Sequence, residues 1–501
     1  MTTTSARLRA RRAELMRRVA RPVLLMGTGT RARNLPMNHV SFRQDSTFLY
    51  YIGAAIPDVA ALITEHGTTL YIAPQHPDDP LWHGDMERHE AVAARLGIDR
   101  VAPPKQLAAD VASSAPATLA IADHIVNQQA SALTGADLAF GQRHGDPALV
   151  HAVIEMRRTK SDEEIDAMRE AATVSAYAHT MCMRATVAGR SERSLAALFR
   201  AALNARGFAL GYDTILTQRG EVLHNHAHDG VLTHGNMVLL DGGGEHAHGP
   251  FAGLGADITR TWPVSGTFTG RQRAAYDAVL ESQRVSIAAC RPGVRYREVH
   301  DAGCRVLAQF MLDEGLLSNI SVEDAVTRGA HALVFPHGMG HLLGMDVHDL
   351  ENFGDLPAYP PGQGRPEPFG TRYLRLDLPL EPGWVVTVEP GFYIVPAILR
   401  NTELLHRFKD CFDVTALHPW QGFGGIRIED DVLVTDGAPD VLSTAVPKDP
   451  ATMCELVGTG ATLEDLLPCT SSWWYCWPQP CFWSRRSCSA APHPVMPVRP
   501  V

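Results

Sequence analysis

The sequence predicts an α/β (α+β) chain of two domains followed by a tail, and three observations carry that reading. Short apolar runs alternate with turn residues over 22–75. A capping box at Ser161 and Glu164 opens a long helical period. Beyond residue 455 the composition changes: four of the eight tryptophans and four of the nine cysteines fall between Cys469 and Cys488. The chain therefore divides into an N-terminal α/β domain over 1–150, a larger mixed domain over 151–455 and an atypical tail over 456–501, expected to be disordered. At 501 residues, 45% apolar and 20% charged, it is long enough for two or three ordinary globular cores.

Taken in order, residues 1–21 predict an amphipathic helix, with Leu8, Leu15 and Val19 on the packed stripe and the arginines between them on a solvated face. The apolar runs Val23–Met26, Phe48–Ile52, Ala60–Ile63 and Thr69–Ile72 predict strands. Helices are expected near 88–96 and 106–113. In the second domain, Ile165, Met168, Ala172 and Ala176 recur at helical spacing. Residues 211–216 predict the first buried strand. Strands at 237–241 and 257–262 predict a hairpin, and long helices follow over 270–289 and 294–314. Residues 354–370, rich in Pro and Gly, predict a surface loop or lid. Residues 393–424 are a second long insertion. In the tail, the spacings of Cys469, Cys476, Cys481 and Cys488 fit no compact zinc pattern.

A net charge of −10 argues against a nucleic-acid binder. The run Pro22–Met26 is too short for a signal peptide or a membrane span. Nine irregularly spaced cysteines form no disulfide framework, so a reducing cytoplasm is the expected home.

The chemistry lies in five separated residues. Asp241 ends the apolar run Met237–Leu240 and precedes three glycines; Asp257 opens Asp-Ile-Thr-Arg-Thr; His341 closes His-Gly-Met-Gly-His; Glu389 ends Val385–Val388 and precedes Pro390-Gly391; Glu429 lies in Gly-Ile-Arg-Ile-Glu-Asp-Asp. Four carboxylates and one imidazole form a hard, oxygen-rich set that suits Mn²⁺-like ions. Four negative charges are too many for one divalent ion, and two ions balance them. On a strand, Arg427 and Glu429 share a face while Ile426 and Ile428 share the other, so Arg427 can hold a ligand carboxylate ionised and oriented. A buried Glu389 without a partner would be costly, which again points to a metal.

These motifs resemble the pita-bread metallopeptidases of family M24 and, within them, the Xaa-Pro peptidases aminopeptidase P and prolidase. The resemblance covers roughly residues 150–447, with a weaker match over 35–110 that includes Phe42-Arg43-Gln44-Asp45-Ser46. It implies two divalent metal ions per chain, Mn²⁺ first with Zn²⁺ or Co²⁺ as alternatives. By the same resemblance Asp257 and Glu429 bridge the ions, Asp241 holds one, and His341 and Glu389 hold the other. Glu389 is also the implied proton shuttle. His337, His348 and His224, the last 17 residues before Asp241, are the implied substrate-contacting imidazoles. Tyr393 is a supporting candidate, and Asp349 and Asp430 are expected to support the ligands or face solvent. The stretch between Asp241 and Asp257 is longer than the family pattern, with His246 and His248 expected at the surface.

The implied substrates are small peptides, and the implied assembly is a homodimer or homotetramer, with Trp82 in a loop as a residue that could reach a neighbour. An aminopeptidase P releases the first residue from Xaa-Pro peptides of any length; a prolidase takes only dipeptides. Methionine aminopeptidase fits less well because it lacks a large N-terminal domain. A metal-free binding module of the same fold is disfavoured by the complete ligand set.

Overall fold

The computed structural model describes residues 3–35 and 37–461. The tail cysteines Cys469, Cys476, Cys481 and Cys488 lie outside the described residues. The N-terminal half is a four-stranded sheet ordered Val23–Met26, Ala60–Thr64, Gly67–Tyr71 and Arg100–Ala102; only the last pair is parallel. Helices Thr3–Val19, His89–Leu96, Leu107–Ser114 and His124–Thr134 belong to this half.

Three expectations change here. Residues 46–52 form a helix, not a strand. Asp45 caps it by accepting from Phe48 N at 2.9 Å, and Gly53 ends it in the left-handed conformation. All seven residues are buried, so the apolar run has no period that could separate helix from strand. In the first helix Leu8, Leu15 and Val19 are buried as expected, yet Arg12 is buried too. Its guanidinium donates to the Tyr51 and Leu96 carbonyls at 2.9 and 3.2 Å, serving helix ends that would otherwise lack donors. Trp82 sits in a short helix, Asp79–His83, rather than a loop, and is 65% exposed.

In the second half, two antiparallel helix pairs back a set of small sheets. Asp162–Ala185 begins with the expected capping box, and with Glu192–Asn204 it packs on Phe208–Leu210, Ile215–Thr217 and Gly244–His246. Gly270–Ala289 runs beside Tyr296–Asp313 and packs on Val385–Val388, Gly391–Tyr393 and Gly425–Arg427. Helices outside and strands inside give the pita-bread arrangement. The first buried strand is Ile215–Thr217, shorter than expected. Met237–Asp241 pairs antiparallel with Thr259–Pro263, Asp241 facing Thr259, so Asp257 precedes its strand. The two are not a simple hairpin: Gly244–His246 intervenes and pairs with Phe208–Leu210. His246 is accordingly half-buried, its Nε2 2.9 Å from the Ala167 carbonyl, while His248 is exposed as expected. Gly243 is required where these strands meet, because a Cβ there would lie 1.7 Å from the Ala256 carbonyl oxygen.

The segment 393–424 is not featureless. It carries the short helices Pro396–Leu399 and Thr402–Arg407 and the 3₁₀ turn Val414–Trp420. A charged seam joins the halves. Arg43 bonds Glu245 at 2.9 Å and the Met345 carbonyl at 2.6 Å. Arg157 donates to Thr47 at 3.0 Å, Asp346 at 2.9 Å and Asp349 at 2.7 Å. Lys160 reaches Asp349 at 3.2 Å. Asp349, expected to support ligands or face solvent, is buried in this seam.

Candidate metal centre

The strand ends converge on a cavity of about 570 Å³ lined by Tyr212, His224, Asp241, Asp257, His337, His341, His348, Arg375, Glu389, Arg427 and Glu429, among others. All five expected metal ligands and all five expected catalytic residues are in that lining. Ligand atoms of Asp241, Asp257 and Glu429 lie within 4.8 Å of one another, as do those of His341, Glu389 and Glu429. A wider groove of about 790 Å³ along Thr217–Glu221 and Pro396–Leu399 has no such grouping among the described residues.

Each side chain is aimed by its backbone. Asp241 ends its strand and Glu389 follows Val385–Val388, its N–H held by the Met339 carbonyl at 2.8 Å. Glu429 N donates to the Thr259 carbonyl at 3.0 Å, and Thr259 Oγ1 donates to the Glu429 carboxylate at 2.6 Å. Arg427 binds Asp241 at 2.5 Å, Thr259 Oγ1 at 3.1 Å and Tyr393 Oη at 3.1 Å. Burial works against its charge, but Tyr393 and the surrounding acids outweigh it and raise its pKa.

The electrostatics of this cluster are unbalanced. Burial first, then Asp257, Glu389 and Asp241, push Glu429 far above the usual carboxylate range. Burial likewise pushes Glu389 up to about 8. His341 sharpens the point. Its Nδ1 lies 3.0 Å from the Leu342 carbonyl, which can only accept, so Nδ1 carries the proton. Burial lowers its pKa to about 4, so the ring is neutral and Nε2 bears a lone pair. That lone pair faces Asp257 Oδ2 at 3.4 Å and Glu389 Oε1 at 3.7 Å. With Asp257 and Glu389 ionised, acceptors would face acceptors in a buried site; a cation between them reconciles them, and this donor set fits divalent metal.

His337 is held differently. Its Nδ1 donates to the Gly338 carbonyl at 2.9 Å, and its Nε2 accepts from Tyr393 Oη at 2.9 Å. Arg427, Tyr393 and His337 thus form one hydrogen-bonded chain. His348 stacks edge-on against His341, ring centres 4.4 Å apart, and is exposed to the cavity. His224 is exposed at the rim, 6.4 Å from His226 between ring centres. Asp430, expected to support ligands or face solvent, points away from the cavity and binds Arg260 at 2.7 Å.

Several residues of the site went unread in the sequence. Tyr212 donates to Asp241 at 2.6 Å and also bonds Asp257. Asp431 receives the Asp257 N–H at 3.1 Å. Arg365, Tyr373 and Arg375 line the mouth. Tyr212 lies inside a run that reads as strand, and Arg365, Tyr373 and Arg375 lie in or just after a Pro/Gly-rich segment without period; no local signal marks any of them.

The profile of metallopeptidase family M24 matches residues 166–436, and that of the aminopeptidase P N-terminal domain matches residues 8–119. The chain is 31% identical over 438 residues to a Homo sapiens Xaa-Pro dipeptidase, covering 85% of this chain and 86% of that one. It is also 31% identical over 456 residues to a probable Xaa-Pro aminopeptidase of Coccidioides posadasii, covering 87% and 92%. Among solved structures it resembles the Pseudomonas aeruginosa aminopeptidase PepP, at 27% identity and a TM-score of 0.73 over 90% of this chain and 97% of that one. The Yersinia pestis proline aminopeptidase P II matches at 28% identity and a TM-score of 0.72, over 91% and 99%. Fold and site together define a metal-dependent exopeptidase. The chain belongs to metallopeptidase family M24.

Proposed function

We propose that this chain is an Xaa-Pro aminopeptidase that uses two divalent ions, Mn²⁺ foremost, held by Asp241, Asp257, His341, Glu389 and Glu429. The observation that carries the reading is the buried meeting of four carboxylates and a neutral imidazole whose lone pair faces two of them. The matched aminopeptidase P N-terminal profile favours this reading over a dipeptidase. We read residues 1–150 as the N-terminal domain and 151–455 as the catalytic unit.

When bound, the two ions activate a water and polarise the scissile carbonyl. Glu389 takes the water's proton and delivers it to the departing proline nitrogen, which carries no proton of its own in the peptide. His348 and His224 offer imidazoles to the substrate carbonyl from the cavity wall and rim, steadying charge as the carbonyl carbon turns tetrahedral, while His337, its nitrogens engaged by Gly338 and Tyr393, shapes the same wall. Arg427 keeps Asp241 ionised and fixed.

A second reading, a dipeptidase, rests on Arg375, whose side chain lines the mouth and binds Glu351 at 3.3 Å. A guanidinium there suits the free carboxylate of a dipeptide. Free, unpaired thiols at Cys182, Cys290, Cys304, Cys411 and Cys454 support a cytoplasmic setting. No helix among the described residues is long and apolar enough to cross a membrane. Assembly as a homodimer or homotetramer is supported by Leu81 and Trp82, 76% and 65% exposed on one short helix.

Hydrolysis of Ala-Pro beside Ala-Pro-Ala, with Mn²⁺ added and then chelated, tests the reading. Metal-dependent cleavage of the tripeptide is expected. Cleavage of the dipeptide alone establishes the second reading, and metal-independent activity or none overturns both.

A further inference from the structure

Behind the cavity wall lies a second group of ligating side chains that the reaction does not use. Helix Tyr296–Asp313 carries His300 and Cys304, four residues apart and therefore on one face, both fully buried. The 3₁₀ turn Ala330–Leu333 places His331 across from them, 1% exposed. Cys304 Sγ lies 3.4 Å from His300 Nε2, and the two imidazole centres are 5.9 Å apart. One ligand atom from each residue falls within 4.8 Å of the others.

An independent observation points to an occupant. Neither ring nitrogen of His331 has a hydrogen-bond partner, although the ring is buried. The Ala325 carbonyl favours a ring proton but does not reach hydrogen-bonding geometry. A buried polar group left so is costly, so native structures seldom leave one. Burial also keeps both rings neutral, His300 near 3 and His331 near 4, which leaves a lone pair on each.

We propose that His300, Cys304 and His331 form a separate site for a thiophilic transition-metal ion of the Zn²⁺ class. One thiolate and two imidazoles suit such an ion, as the oxygen-rich cavity set suits Mn²⁺. On binding, the Cys304 thiol releases its proton to solvent, and nothing is oxidised or reduced. A divalent ion and one thiolate leave one positive charge; without the ion, burial and then Asp301 keep the Cys304 thiol protonated. The site is closed to solvent, so the ion enters as the chain folds. Its role is to brace the metal cavity from behind. The His331 carbonyl holds the N–H groups of Val334 and Phe335 at 3.1 and 3.0 Å. The Phe335 ring in turn packs against His300 at 5.8 Å and His337 at 4.7 Å.

The test is the full chain produced in minimal medium with Co²⁺ as the added metal. A sulfur-to-cobalt charge-transfer band in the near ultraviolet is expected, with three ions per chain rather than two. Carboxylate and imidazole ligands give no such band, so the cavity cannot produce it. Cys304→Ser and His331→Phe are each expected to abolish the band and return the count to two. Wild-type protein without the band overturns the site. A band that survives both substitutions also overturns it, and assigns the signal to other thiols. If neither variant folds, X-ray absorption on the zinc-grown wild type decides. A sulfur neighbour near ~2.3 Å together with imidazole scattering supports the site. A zinc shell of oxygen and nitrogen only, or one dominated by several sulfurs, overturns it.

Discussion

The acids of the cavity and the acids of the seam lie in opposite surroundings. In the seam, burial works against the charge on Asp346, yet Arg157 and Arg43 outweigh it and hold its carboxyl below the usual range. In the cavity, Glu429, Asp257 and Glu389 face one another with Arg427 as the nearby cation, and burial and mutual repulsion drive Glu429 and Glu389 upward. The contrast recurs between adjacent residues: Glu429 is pushed up, while its neighbour Asp430, bound to Arg260 and Lys448, is held down despite burial. A carboxylate supplied with its own cation is a joint. A group of carboxylates without enough cation is a socket for one.

That contrast can be broken from either side, and the largest effect is expected in the socket. Glu389→Gln keeps size and shape but removes the proton carrier and a charge. kcat should fall about 10²–10⁴-fold with an unchanged circular dichroism spectrum; near-normal turnover would strip Glu389 of its role. In the joint, Arg157→Met leaves Asp346 and Asp349 short of a buried partner. A loss of ~3–5 kcal/mol is expected in chemical denaturation, and a loss below ~1 kcal/mol would show that water or Lys160 serves those acids just as well.

The smallest effect is in pH dependence. Glu389 sits at about 8 in the metal-free fold against an ordinary 4.5. Between those values the folded chain keeps a proton that the unfolded chain has released. Stability is therefore full below about 4.5 and is lost as pH rises toward about 8. Chelated protein should show a melting temperature that falls from pH 5 to pH 8, and Mn²⁺ should flatten the slope. Equal slopes with and without metal would mean that the cavity acids are not short of cation.

Much of the cavity was legible in the sequence because Asp241 and Glu389 end or follow a short apolar strand, where a lone acid is conspicuous, and Asp257, His341 and Glu429 stand in short motifs of their own. The capping box at Ser161 and the regular helix over 270–289 are equally plain. The helix over 46–52 was misread because burial on every side erases the period that separates helix from strand. Arg12 was misread because a buried arginine is justified by carbonyls 39 and 84 residues away, beyond any local pattern. Tyr212 and Arg375 escaped for the same reason: their meaning lies in what the fold brings opposite them.

Residues 341–349 carry His341 and His348 on the cavity side, and Asp346 and Asp349 on the seam side. One nine-residue loop is thus claimed by both halves of the molecule at once. The halves are for this reason poor candidates for exchange between related chains. A borrowed N-terminal half lacking counterparts of Arg43, Ser46 and Thr47 would leave that loop gripped from one side only. The loss would be read in turnover, although every residue that touches the peptide had stayed in place.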